Sequence, residues 1–135
     1  MSIDFSQLNV WAILVTIVIS MVFGALWYSP VMFGNVWAKL VGLKPGQNPS
    51  AAGPMIGTVI MTIIATLALA VFIQLTGAAT ALQGFWVALL LCIILAAKIA
   101  VNYFFEGRGF KLYLLTIGFH TIPYLIGGIL LAVWK

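Results

Sequence analysis

Four apolar runs, each about as long as a bilayer is thick, decide what this chain can fold into. They extend from about Leu8 to Tyr28, Pro54 to Thr76, Leu82 to Phe104 and Leu112 to Trp134. A helix rises about 1.5 Å per residue, so roughly 20 residues cross the ~30 Å of hydrocarbon, and each run approaches or exceeds that length. Backbone in lipid must satisfy its own hydrogen bonds, and none of the runs alternates as a barrel strand would. The expected fold is therefore all-α: a polytopic transmembrane four-helix bundle in a single domain, residues 1–135. Composition points the same way. Only 6% of the 135 residues are charged and 64% are hydrophobic, against the roughly 25% charged of a domain that faces water.

The first run lacks the basic leader of a signal peptide, carrying Asp4 instead, and is too long for one, so it reads as an uncleaved span. Ser2 and the Trp134-Lys135 end offer no lipidation motif. Trp11 with Trp27, Trp86 with Tyr103, and Tyr113 with Trp134 bracket three spans, as aromatic rings do at headgroups.

The connections differ in kind. Gly77 to Ala81 and Glu106 to Phe110 are tight, which makes the last two spans antiparallel neighbours. The connection after the first span is longer. Ser29 is placed to cap a helix with Pro30 at its first position. Phe33, Val36, Trp37, Leu40 and Val41 recur at helical spacing, Asn35 and Lys39 lie off that stripe, and Gly42 and Pro45 end it. This predicts one short amphipathic helix over about 30–42, lying in the membrane interface or packed on the bundle. Lys44 to Gly53 then reads as a polar turn.

Charge gives orientation. Lys39, Lys44, Arg108 and Lys111 lie in the loops after the first and third spans, with Lys98 leaning to that side; Lys135 and the terminal amine lie opposite. The positive-inside rule puts those loops in the cytoplasm and both termini outside, in a bacterial cytoplasmic membrane. The net charge of +4 reflects scarce acids rather than a basic cluster, which argues against nucleic acid as a partner. The one cysteine, Cys92, sits in an apolar run and reads as a small buried hydrophobe.

Polar groups inside the spans carry the functional signal. Counted from the cytoplasmic ends, Lys98 lies about six residues deep, roughly 9 Å, and His120 about eight, roughly 12 Å. Ser20 and Thr62 fall at similar depth in the first two spans, and Tyr28 sits in the turn on the same side. All four helices thus bring a polar group to one layer. Lys98, Asn102 and Glu106 follow at four-residue spacing on one face, and Tyr113, Thr116, His120, Tyr124 and Gly127 share another. Thr58, Thr62 and Thr66, like Thr16, Ser20 and Gly24, form small-residue stripes that suit close packing with hydrogen bonds across the contact. Lys98 has two readings. It snorkels or pairs with Glu106, or it stays free for an anionic ligand while Glu106 pairs with Arg108 or Lys111.

His120 is the only histidine, so one chain builds no protein-only metal site around it, and no metal or other cofactor is expected. Pro123 frees the Phe119 carbonyl of its usual donor beside it. Catalysis has little support, because paired carboxylates, a Cys-His pair and a phosphate-binding glycine loop are all missing. Glu106, at a water-accessible edge, is the one candidate base, with nothing beside it to suggest a reaction.

The string Gly24-Ala25-Leu26-Trp27-Tyr28-Ser29-Pro30, continuing through Phe33-Gly34 to Trp37, resembles the signature of a bacterial membrane family known as domain of unknown function 1761. Asn102, Phe105-Glu106, Gly118-Phe119-His120 and Gly127 to Trp134 match the same pattern, so the resemblance covers essentially the whole chain. Phe119 departs from it, since a tyrosine is expected before the histidine, and a hydroxyl is lost there. The resemblance implies a small four-helix membrane protein and no particular activity.

The expected function is that of a non-enzymatic small membrane protein, a homo-oligomer or a subunit joined to other membrane-protein subunits in the lipid bilayer. The rival is a transporter-like or small-ligand-binding module, with Lys98, Asn102, Glu106 and His120 around a cavity open to the cytoplasm. A weaker alternative is a haem or pigment subunit held through His120.

Overall fold

Local chemistry sets where each helix starts and stops. In the computed structural model, which describes residues 4–29, 31–42 and 52–134 (52–54 as backbone only), helix α1 spans Val10–Trp27. Its cap, Asn9, accepts from the Ala12 amide at 3.1 Å. Helix α2 is Gly34–Leu40, α3 is Ala52–Thr76, α4 is Ala81–Glu106 and α5 is Phe110–Val133. A single 3-10 turn, Phe5–Gln7, precedes α1. Helix α4 opens with a capping box, Thr80 accepting from the Gln83 amide while the Gln83 side chain accepts in return from the Thr80 amide. It closes on Gly107, whose φ of 66° is a left-handed conformation that glycine adopts without strain.

Four of these helices are long and apolar enough to cross a membrane, and no strand occurs among the described residues. The helices beside the Gly107 turn each run two residues further than hydropathy alone suggests. Hydrogen bonding continues through Phe105-Glu106 and from Phe110-Lys111, where apolarity has already faded. Lys44, Pro45 and most of the expected polar turn lie outside the described residues, as do Pro30 and Lys135.

Helix α5 is the hub, touching α4 along most of its length and also α1, α3 and α2. The α4–α5 seam is built from small residues. Gly84 is buried against Gly128 and Ala132, Ala88 against Gly128, and Cys92 is buried one turn further along α4. A Cβ on Gly84 would run into the Gly128 carbonyl oxygen and lie 2.7 Å from the Ala132 Cβ, so the two backbones touch. The neighbouring Gly127 serves a different seam, since a Cβ there would lie 2.6 Å from Thr16 Cγ2 on α1. Leu69, Ala70 and Ile73 of α3 complete the core with Ala12, Ile13 and Leu131. The Cys92 thiol is buried in the α4–α5 seam, as a small apolar residue would be.

Three of the stripe hydroxyls bond within their own helices. Thr16, Ser20 and Thr66 each donate to the carbonyl four residues back in their own helix, at 2.8, 2.9 and 2.7 Å. Aromatic residues make the interhelical bonds instead. Trp27 Nε1 donates to the Leu115 carbonyl at 3.0 Å, Tyr113 to Ala96 at 2.8 Å and Tyr124 to Ala65 at 3.0 Å. Phe104, Phe105 and Phe110 are exposed rings at the same end as Trp27 and Tyr113, and Phe5, Trp11, Trp86 and Trp134 are exposed at the other.

The two ends of the bundle differ. At one, Gln74 exchanges hydrogen bonds with the Asp4 backbone at 2.8 and 2.9 Å, and Asn9 donates to the Trp134 carbonyl at 3.1 Å. The other, hereafter the turn end, holds the Trp27–Gly34 turn, α2 and the α4–α5 turn. Only the second half of α3 is buried, at Thr66, Leu69, Ala70 and Ile73. Between Met55 and Ala65 it is exposed apart from half-buried Val59 and Thr62. The core seam therefore opens toward the turn end.

Candidate functional site at the turn end

The Trp27–Gly34 turn folds back on itself through its backbone. Ser29 O accepts from the amides of Met32 and Gly34 at 3.1 and 2.9 Å, and Trp27 O accepts from Phe33 at 3.0 Å. Ser29 does not cap α2 as its position before Pro30 suggested. Its hydroxyl donates to the Leu26 carbonyl at 2.7 Å, and α2 begins at Gly34 without a side-chain cap. The turn is too tight for that cap.

This fold-back stacks rings onto α5. Trp27 packs against Phe23 and Phe33 with centroids 5.3 and 4.5 Å apart, and Tyr28 meets Trp37 at 5.6 Å and Phe119 at 5.1 Å. Gly118 makes room for the indole, since a Cβ there would lie 2.8 Å from Trp27 Cζ2. A pair of hydroxyls lies close by, with Thr116 Oγ1 and Tyr103 Oη 3.0 Å apart, which joins α4 to α5.

Of the residues expected in the polar layer, Tyr28 is half-buried between the Trp37 and Phe119 rings, and His120 lies one turn beyond Thr116, exposed, its ring 4.9 Å from Phe119. Ser20 and Thr62 are half-buried and belong to the helix-internal hydrogen bonds of α1 and α3. Glu106 is exposed and held by Arg108 at 2.8 Å, so it does not pair with Lys98. The turn brings the two closer than a helical face does. Lys98 and Asn102 are exposed and make no hydrogen bond or ion pair with any described residue.

Helical geometry says which way these free groups lie. Leu91 packs on the core cluster that contains Leu69, Ala70 and Ile73 of α3. Lys98 and Asn102 follow Leu91 by seven and eleven residues, which at 100° per residue keeps both within roughly 20° of its side. On α5, Tyr124 packs on the same cluster and reaches Ala65 of α3. His120 precedes it by four residues, on that same side. Lys98 precedes the end of α4 by eight residues, about 12 Å, and His120 follows the start of α5 by ten, about 15 Å. Lys98 and Asn102 thus share the Leu91 side of α4, and His120 the Tyr124 side of α5.

Tyr103 was hidden by its resemblance to a belt aromatic, and Thr116 by its resemblance to a packing threonine. Their spacing to Asn102 and His120 was the available signal. An ammonium, a carboxamide and an imidazole are thus exposed along the spans of α4 and α5. Groups of this kind can hold a partner that accepts hydrogen bonds or carries negative charge.

A profile described as "Protein of unknown function (DUF1761)" matches residues 11–132. No curated protein and no solved structure matches the chain. The matched residues take in α1 from Trp11 onward, the Trp27–Gly34 turn, Lys98, Asn102, Thr116 and His120, and the Gly84–Gly128 seam. The chain belongs to the DUF1761 family.

Proposed function

We propose that this protein is a non-enzymatic membrane protein that holds a small polar or anionic molecule in the crevice between the first half of α3 and the helices α4 and α5. The observation that carries this reading is that Lys98 and Asn102 sit inside a span, exposed and without a partner among the described residues, on the same side of α4 as Leu91, which packs on the core. An ammonium at the centre of a span costs roughly 2.5–3.5 kcal/mol on insertion scales, and a bound acceptor offsets the share of that cost borne at position 98. The only acid nearby, Glu106, is committed to Arg108, and this leaves binding better supported than proton transfer. The basic residues Lys39, Arg108 and Lys111 support a cytoplasmic turn end by the positive-inside rule, and in this reading the crevice opens to that side. A homo-oligomer, or a complex with another membrane subunit, serves the same end by laying a further helix over the open side.

Native mass spectrometry from mild detergent tests this. The wild-type chain is expected to carry a small-molecule adduct that Lys98→Met and His120→Phe each lose, while Lys39→Met, on the exposed side of α2, keeps it. Loss from none of the three, or equally from all three, sinks the reading. The same spectra weigh the oligomer.

A further inference from the structure

A groove at the turn end shares none of its lining with Lys98, Asn102 or His120. Trp27, Phe33 and Val36 form one wall of this groove of about 340 Å³, and Leu114, Leu115 and Lys111 form the other. The groove runs between α2 and the first turns of α5, at the turn end. Its volume reaches the lower end of ligand-sized sites. Its walls are hydrocarbon and indole, with a single ammonium.

Charge decides what such a groove can take. Arg108 is engaged twice, by Glu106 at 2.8 Å and by the Tyr103 ring, 5.7 Å from its guanidinium carbon. Lys111 is exposed, lines the groove and has no counter-ion among the described residues. Lys39, in the last turn of α2, adds a second unpaired cation at the same end. Among the described residues the turn end therefore presents two uncompensated cations beside an apolar slot, close to where α5 leaves the hydrocarbon. An amphiphile with an acyl chain and an anionic head satisfies both parts at once, chain against Leu114 and Phe33, head on Lys111. A neutral lipid fills the slot but leaves the cation unanswered, and a soluble anion answers the cation but leaves the slot in contact with water.

We propose that the groove between α2 and α5 is a binding site for one anionic phospholipid of the surrounding leaflet, recognised through Lys111. The geometry holds it ready, since the Trp27 Nε1 bond to the Leu115 carbonyl fixes the wall and Phe33 stacks behind it. This site does not depend on the crevice, and Lys98 takes no part in it.

The test uses the full chain, delipidated in a neutral detergent and titrated with phosphatidylglycerol or phosphatidylcholine while its thermal unfolding midpoint is followed. Phosphatidylglycerol is expected to raise the midpoint at lower lipid concentration than phosphatidylcholine. Lys111→Gln is expected to weaken the phosphatidylglycerol response about fivefold, the effect of removing one cation near a charged leaflet, and to leave the phosphatidylcholine response unchanged. Leu114→Trp, which fills the slot from an exposed position, is expected to weaken both responses. Equal responses to the two lipids overturn the proposal, as does a phosphatidylglycerol response that survives Lys111→Gln. Inorganic phosphate producing the same shift points to a soluble anion and overturns it too. So does a concentration-dependent dimer that Leu114→Trp dissolves, because a second copy is then the occupant.

Discussion

Gly84→Ala destabilises the bundle in detergent by about 3 kcal/mol, the upper part of the range for overpacked interiors. The added methyl has nowhere to go, because it meets the Gly128 carbonyl oxygen and, at 2.7 Å, the Ala132 Cβ. Neither is the mobile tip of a long side chain, so α4 and α5 must move apart along their main seam. That separation also strains the Tyr113 bond to Ala96 and the Tyr103–Thr116 contact further along the same pair. Gly128→Ala, whose Cβ would lie 2.6 Å from both the Ala88 Cβ and the Gly84 carbonyl oxygen, has an effect of similar size. The double variant costs less than the sum, because the first methyl has already opened the contact that the second would strain. Gly57→Ala is the control. It has open space around it, and the better helix propensity of alanine leaves stability unchanged or raised by up to about 1 kcal/mol. Thermal unfolding of the four variants in one detergent checks the set, and equal midpoints for Gly84→Ala and Gly57→Ala would contradict the seam.

Gly34→Ala releases α2 from the bundle. A Cβ at this position runs into the Tyr28 carbonyl oxygen and lies 2.8 Å from the Ser29 carbonyl, both backbone atoms of the fold-back turn. Making room for it breaks the Gly34 amide bond to Ser29 O and lifts Phe33 from Trp27 and Trp37 from Tyr28. Hydrogen exchange of the α2 amides is expected to rise to that of an unprotected segment, with a stability loss of about 2 kcal/mol from the lost ring packing. Trp27→Phe separates packing from hydrogen bonding. It keeps a ring beside Gly118, gives up only the bond to Leu115 O, costs about 1 kcal/mol and leaves α2 protected. Unchanged exchange in Gly34→Ala is the contrary result.

The spans were legible because lipid permits so few alternatives. Once four long runs lacked charges, only helices could carry them. The partner of each small residue was not legible, because glycine and alanine recur along every helix and only rotation selects Gly84 and Gly128 to meet. Residue type told only part of the account in two places. Tyr113 and Trp27 have the composition of a headgroup belt and lie within a turn or so of a helix end, and each also bonds a carbonyl of a neighbouring helix. Ser29 before Pro30 has the chemistry of a helix cap, but Gly34 lets the chain turn more sharply, and the hydroxyl then finds Leu26 instead. Spacing put the polar groups of α4 and α5 on shared faces, and the turn then takes Glu106 out of that set by pairing it with Arg108. What spacing withheld was the burial of α3, which among the described side chains is confined to Thr66 and beyond.

Thiol labelling in proteoliposomes asks most directly whether those groups share a wetted crevice. Lys98→Cys, His120→Cys and, as lipid-facing references, Leu90→Cys and Ile93→Cys are prepared in a Cys92→Ala background and treated with a charged, membrane-impermeant reagent. The crevice predicts that positions 98 and 120 react at least tenfold faster than 90 and 93, and from the same side of the membrane. Labelling at 98 with 120 as unreactive as the references would mean that Lys98 snorkels to the headgroups beside a dry histidine, and would contradict it.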